Sequence, residues 1–321
     1  MKKPFLASLL FSVFLVGLFS IGWIFRQDIY DYIRLIGYTP SNEIIALADD
    51  TTMLGDSRRL FYVNRPALTD KTEFNEHCRE DERSIVLGCF ISGEGIYLLN
   101  VDDRRLEGIE EVTAAHELLH AAYERLGNDQ GKIDALVQNA YQRLTNDRVK
   151  DTVELYRKQD ASLVPNELHS ILGTEVRDLP SELETYYARY FENRSKIVAL
   201  SEQYEQAFTD RRNQVRVYDE QLASIKSRIE SLQSDLTSLN SNLRNQQAEM
   251  ERLRAQDQND AYNAQVPIYN SRVNQYNQDL DKLQSLIVRY NDLVKKRNDI
   301  ASEEAELVEA IDSREAVPER Q

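Results

Sequence analysis

This sequence has no excess of basic residues and no cluster of them. The 321 residues include 39 Lys and Arg against 54 Asp and Glu, which gives a formal net charge of -15. Nucleic-acid binding draws its affinity from Lys and Arg side chains that neutralise phosphates. We therefore exclude a nucleic acid as a partner. The chain length predicts one medium domain together with an extended region.

Charged residues are also absent from the apolar run Phe5–Phe25. At 1.5 Å per residue, a helix of roughly 20 residues crosses the apolar core of a bilayer, which is about 30 Å thick. Two lysines before the run favour a cytoplasmic N-terminus. We predict a transmembrane signal anchor at residues 1–26, a juxtamembrane linker at 27–40 and an extracytoplasmic position for the rest. The alternative is a signal peptide cleaved near Ser20–Gly22.

Cysteine is scarce, with only Cys78 and Cys89 in the chain. No CxxC spacing accompanies them, which argues against a cysteine-based zinc site. Both lie in the region predicted to face outward, where a disulfide persists. We expect them to pair and to close a short loop. Two buried free thiols are the competing interpretation.

Glycine is missing after Gly173, and residues 195–321 are rich in Gln, Asn, Ser and charged side chains. Apolar residues at heptad spacing follow Tyr204–Leu243 and again Tyr262–Val294, separated by a polar stretch. The two seams predict an antiparallel coiled-coil hairpin, able to bind a protein partner or to self-associate. A single kinked helix that forms a parallel dimer uses the same heptads and is the alternative.

Between the anchor and the hairpin, residues 41–194 carry the patterns of a folded α+β domain. Glu107–Leu126 has helical apolar spacing, and further helical patterns follow it. Short apolar runs bounded by turn residues predict three strands of a small sheet, at Leu60–Val63, Ile85–Phe90 and Gly95–Val101.

The helix predicted at Glu107–Leu126 contains the segment His116-Glu117-Leu118-Leu119-His120. Two histidines four apart on a helix project from the same face, so both imidazoles can reach one Zn²⁺ at about 2.0–2.1 Å. Glu117 is placed to take a proton from a water molecule that attacks a peptide carbonyl. An amphipathic helix with two incidental histidines is the alternative.

This segment, with its uncharged flanks, resembles the signature of zincin metallopeptidases. A second segment, Asn166–Gly173, resembles the Asn-Glu-x-x-Ser-Asp-x-x-Gly segment of gluzincins, and the resemblance implies that Glu167 is the third zinc ligand. Ile171 stands where that family has an aspartate. Glu175 is the rival ligand. Glu175 and Asp178 are also the candidates for supporting the ligand histidines.

Two further expectations concern the surroundings of the site. Zincins present an edge strand beside the active-site helix, and Gly95–Val101 is the expected edge strand here. His169 is expected to be a core or surface histidine, with stabilisation of an oxyanion as the alternative.

Together these features predict an α+β chain in which a small zincin-like domain lies between an N-terminal transmembrane helix and the C-terminal hairpin. The expected function is that of a membrane-anchored, outward-facing zinc metalloendopeptidase that acts on protein or peptide substrates. A rival hypothesis is a non-catalytic scaffold or regulator of the cell envelope that acts through the coiled coil.

Overall fold

The computed structural model describes residues 15, 20, 22–78 and 86–314. It is 77% helical, with one small three-stranded sheet and a long C-terminal helical hairpin. The predicted α+β class is therefore wrong, because the sheet is confined to three short strands and helices form nearly all of the remaining framework.

The transmembrane helix predicted at residues 1–26 is not found among the described residues. Most of the run Phe5–Phe25 lies outside the described residues. Within the part of the chain that the structure describes, no helix combines the length and apolar character needed to cross a bilayer.

The N-terminal part of the domain is built from four helices: α1 (Arg26–Leu35), α2 (Asn42–Asp50), α3 (Gly55–Val63) and α4 (Lys71–His77). The Ser41 side chain caps α2 by accepting from the Ile44 amide at 3.3 Å, as expected for a serine N-cap. The strand predicted at Leu60–Val63 is wrong, since these residues form the last turn of α3. Four apolar residues are too few to distinguish a strand from a buried helical turn.

The sheet contains β1 (Ala67–Thr69), β2 (Gly88–Ile91) and β3 (Gly95–Leu99), in the order β1-β3-β2. Strand β1 is parallel to β3, and β2 pairs with β3 in antiparallel register. The expectation that Gly95–Val101 is the edge strand is wrong, because the short strand β1 covers the other side of β3. Strand β2 is the edge strand on the side of the helix Ile109–Glu124.

Five helices follow the sheet: α5 (Ile109–Glu124), α6 (Gln130–Arg143), α7 (Asp147–Gln159), α8 (Val164–Glu175) and α9 (Ser181–Tyr187). Helix α5 is the core element, and Ala114, Leu118 and Leu119 are fully buried. Helix α8 packs closely on it at Gly173, where an added Cβ would lie 2.4 Å from Leu119 Cδ1. Only glycine allows this approach of the two helices.

The chain divides into two compact units, residues 1–207 with 307–321, and residues 208–306. The second unit is formed by the parts of α10 (Arg194–Ala255) and α11 (Asn259–Ile311) that lie within residues 208–306. Arg211 pairs with Glu303 at 3.2 Å, and Gln246 bonds Gln265 at 3.1 Å. These pairings run in opposite directions along the two helices, so the hairpin is antiparallel as the seams predicted.

Cys78 and Cys89 form a disulfide with their Cα atoms 5.9 Å apart, which confirms the expected pairing. The bond joins the residue that follows α4 to strand β2. It therefore restrains the edge strand that lies beside helix α5.

Candidate metal centre

Helix α5 supplies three of the four predicted site residues. His116 and His120 lie one turn apart, with ring centroids separated by 4.8 Å. The fully buried neighbours Ala115 and Leu119 fix the helix in the core. The histidine positions therefore rest on the rigid centre of the domain, which favours a pre-organised site.

Helix α8 supplies the fourth residue, Glu167, from its first turn. The Glu167 carboxylate faces both imidazoles: His116 Nε2 lies 3.6 Å from Oε2, and His120 Nε2 lies 3.6 Å from Oε1. One potential ligand atom from each of the three residues falls within 4.8 Å of the others. Residues far apart in the sequence are thus brought to one point.

These distances match a shared metal ion better than direct hydrogen bonds. A separation of 3.6 Å exceeds the normal hydrogen-bond range. Ligands of a tetrahedral zinc ion, each about 2.0–2.2 Å from the metal, lie about 3.4 Å from one another. Glu167 Oε2 is also buried without a hydrogen-bond partner among the described residues, a costly arrangement that a cation would relieve. The residues present therefore fit zinc.

Burial and the neighbouring charged side chains shift the pKa values of the three residues in the cluster. Burial lowers the pKa of His116, but the adjacent carboxylates of Glu167 and Glu117 outweigh it and raise that pKa to about 9. Burial lowers the pKa of His120 to about 4, against the opposing effect of Glu167. Burial raises the pKa of Glu167, yet its net pKa is lowered because His116 and His120 favour the carboxylate. The carboxylates of the cluster therefore favour a positive charge beside them.

Glu117 is only 4% exposed and lies against strand β2. A Cβ added at Gly88 would lie 2.9 Å from Glu117 Oε1 and 2.6 Å from Thr113 Cγ2. Gly88 therefore lets the backbone of the edge strand approach the carboxylate. The sequence pattern gave no reason to select this glycine, since its role depends on a neighbour from a different element.

Two residues next to the cluster were also missed. The Tyr156 hydroxyl of α7 donates a hydrogen bond to the Glu167 carboxylate, and the Asn166 side chain lies beside His120. Groups that orient metal ligands in this way tune their affinity. Asn166 is part of the recognised segment, but nothing in the sequence around Tyr156 indicated its position.

The predicted supporting residues do not reach the histidines. Glu175 instead pairs with Arg148 Nη2 at 2.7 Å, and Asp178 is exposed. Among the described residues, only His116, His120 and Glu167 form a cluster able to hold a metal. The structure therefore brings Glu167 to the histidines and leaves the rival ligand Glu175 elsewhere.

His169 is part of the core beneath the site. It is fully buried, and its Nε2 lies 2.7 Å from the Tyr186 hydroxyl. Burial, with a smaller effect of His120 and His116, lowers its pKa to about 3. The Tyr187 hydroxyl also donates to the His169 carbonyl at 2.7 Å. His169 is therefore a core histidine that is hydrogen bonded through Nε2, while its Nδ1 is buried without a hydrogen-bond partner among the described residues.

Comparison with known proteins gives no relative from which to transfer a role. No protein-family model, curated protein or solved structure matches the chain. The interpretation of the site therefore depends on its own geometry and chemistry.

Proposed function

We propose that this protein is a zinc-dependent endopeptidase, with His116, His120 and Glu167 as the zinc ligands and Glu117 as the general base. The observation that carries the proposal is the convergence of two imidazoles and one buried carboxylate from separate helices. Three protein ligands leave a fourth position for water, as in catalytic rather than structural zinc sites.

Each residue has a role that follows from its position. Zinc, when bound, lowers the pKa of a coordinated water to about 7 and polarises a carbonyl group. The Glu117 carboxylate takes a proton from the attacking water and passes it to the leaving amine. Its burial beside Gly88 keeps it in a site of low polarity, where its charge has a larger effect.

Strand β2 is the proposed site for an extended substrate. It is one of the two edge strands of the sheet, and it packs directly against α5. Backbone groups on such an edge can pair with a peptide independently of its sequence. An unfolded protein segment is therefore the expected substrate class.

The disulfide supports a position outside the cytoplasm, because such bonds persist in oxidising compartments. It joins Cys78 to the same edge strand that we assign to substrate binding. An extracytoplasmic location remains a prediction, and it is compatible with an enzyme acting on secreted or envelope proteins.

The test combines metal analysis with cleavage of an unfolded protein by the full-length chain. We expect about one zinc ion per chain. Glu117→Gln should retain the zinc and lose activity by about 10²- to 10⁴-fold. The matched control is Glu111→Gln in the first turn of the same helix, which should retain activity. A zinc-free protein, or equal activity of the Glu117 variant, would contradict the proposal and favour the scaffold hypothesis.

A further inference from the structure

Helix α1 is amphipathic, but its apolar face is exposed and its polar face packs against the domain. Apolar side chains of the helix and of the two residues that flank it recur at the spacing of one helix face, within an arc of about 100°. They are Phe25, Ile29, Tyr32, Ile33 and Ile36. These side chains are between 47% and 68% exposed. A stripe of this width normally faces a protein core, but here it faces away from the domain. We call these five residues the α1 stripe.

The opposite face of α1 is polar and is bound to the domain. Asp31 is buried and accepts from Arg125 Nη1 and Nη2 at 2.9 and 2.8 Å, and it also accepts from Gln27 at 3.0 Å. The Arg34 guanidinium donates to the carbonyls of Val63 and Glu94. These bonds fix which face of α1 points outward, so the exposure of the stripe is a property of the fold.

The α1 stripe needs a partner, and its small area argues against another protein. The eleven steps from Phe25 to Ile36 span about 16 Å at 1.5 Å each, so a stripe of this width offers on the order of 300 Å². A stable protein interface buries about 800 Å² on each side. A second copy of the chain would need a larger contact than the stripe provides.

The chain before α1 indicates a lipid surface instead. Residues 5–25 carry no charge, and their run ends where the stripe begins. Trp23 is 72% exposed at this junction, and the Arg26 guanidinium lies 4.5 Å from the centre of its ring. Tryptophan, tyrosine and arginine are the residues enriched at the boundary between headgroups and acyl chains.

We propose that the α1 stripe lies in the interfacial layer of a phospholipid membrane, with the helix parallel to the surface. This placement concerns α1 alone and does not depend on how residues 1–21 are arranged. Through the ion pair between Asp31 and Arg125, α1 is joined to the end of helix α5. The domain is thereby held at a fixed orientation to the lipid surface, which favours substrates close to that surface.

The test uses the full-length chain in vesicles of phosphatidylcholine with a minority of phosphatidylglycerol. A fluorophore is attached to a single added cysteine, since Cys78 and Cys89 are bonded to each other. Quenching is measured with lipids that carry a nitroxide near the headgroup. The stripe probe is Ile36→Cys, and the matched probe is Tyr30→Cys, which lies on the same helix outside the stripe and closer to the apolar run. Leu155→Cys on α7 is the remote control, with an exposed side chain.

We expect the Ile36 probe to be quenched severalfold more strongly than the Tyr30 and Leu155 probes. If mere proximity to the apolar run caused quenching, the Tyr30 probe would be quenched more than the Ile36 probe. Equal quenching at the three positions, or none at any, would overturn the proposal. The proposal would also be overturned if a second chain or residues 5–21 shielded the stripe from lipid.

A charge variant provides an independent check. Ile29→Asp combined with Ile33→Asp should reduce quenching of the Ile36 probe to the level of the remote control, because carboxylates are unfavourable in the apolar layer. Both side chains are exposed, so the helix content measured by circular dichroism should not change. Unaltered quenching in this variant would also refute the assignment.

Discussion

Glu167 and Glu175 lie about two turns apart on helix α8, and their carboxylates have different neighbours. Glu175 is bonded to a cation of the protein, the guanidinium of Arg148, at 2.7 Å. Glu167 faces two imidazoles at 3.6 Å, and its Oε2 accepts no hydrogen bond from the described residues. A buried carboxylate already paired contributes to stability, whereas one with a site left for a cation is suited to binding.

The largest effect should come from removing the charge of the carboxylate that we propose as a zinc ligand. Glu167→Gln takes away one of three proposed zinc ligands, so zinc affinity should fall by about a hundredfold or more, since even changes to groups behind a ligand cost up to about that much. Competition with a chromogenic chelator measures this affinity. Zinc binding equal to that of the unchanged protein would mean that Glu167 is not a ligand.

The next effect concerns the contact that brings Glu167 to the histidines. In Gly173→Ala, the new methyl group would meet Leu119 Cδ1 at 2.4 Å and Tyr187 Cε1 at 2.8 Å. Such overpacking should lower the free energy of unfolding by about 1–3 kcal/mol and weaken zinc binding as α8 moves. Denaturant unfolding with and without chelator separates the two effects.

Gly131→Ala is the matched control, because no atom lies within 4 Å of an added Cβ at that helical glycine. It should be neutral or stabilising by up to about 1 kcal/mol. If both glycine variants changed the free energy of unfolding equally, close packing between α5 and α8 would not explain why glycine is needed at position 173.

These two glycines illustrate what the sequence could predict and what it could not. The positions of His116 and His120 need only a helix, and the hairpin needs only a sustained heptad pattern, so both followed from local spacing. The importance of Gly173 and Gly88 depends on side chains from other elements, which no local pattern contains. Glu167 was found through a short resemblance, and its position relative to the histidines required the fold.

The wrong predictions about the strands also arose because short local patterns carry too little information. Leu60–Val63 satisfied a strand pattern only because the window was too short to show the helical period of α3. Gly95–Val101 was expected at the sheet edge because it directly precedes the helix that carries the histidines. The error arose because β1, with three residues, gives too weak a signal to be recognised. For α1, the apolar period defines a stripe, but only the bonds of Asp31 and Arg34 show that the stripe faces outward.

Glu175→Gln should differ from Glu167→Gln, because it should lower the free energy of unfolding and leave zinc affinity unchanged. It leaves Arg148 without its main partner, and because the Arg148 side chain is one-third exposed, we expect a loss of only about 1–2 kcal/mol in the free energy of unfolding. Zinc affinity should be unchanged within error. A hundredfold loss of zinc affinity in this variant would show that Glu175 moves to the cluster when metal binds.

The smallest effect is expected from the group that orients the ligand. Tyr156→Phe removes the hydroxyl that donates to the Glu167 carboxylate, so the carboxylate should keep its charge but lose part of its orientation. Zinc affinity should fall by about tenfold, at the lower end for groups that support a ligand. The control is Tyr141→Phe, whose ring lies 5.8 Å from the Arg157 guanidinium of the same helix α7. Because both variants lose one hydroxyl near α7, a selective loss for Tyr156 assigns the effect to its bond with Glu167. An equal loss for both variants would instead indicate a general loosening of the helix.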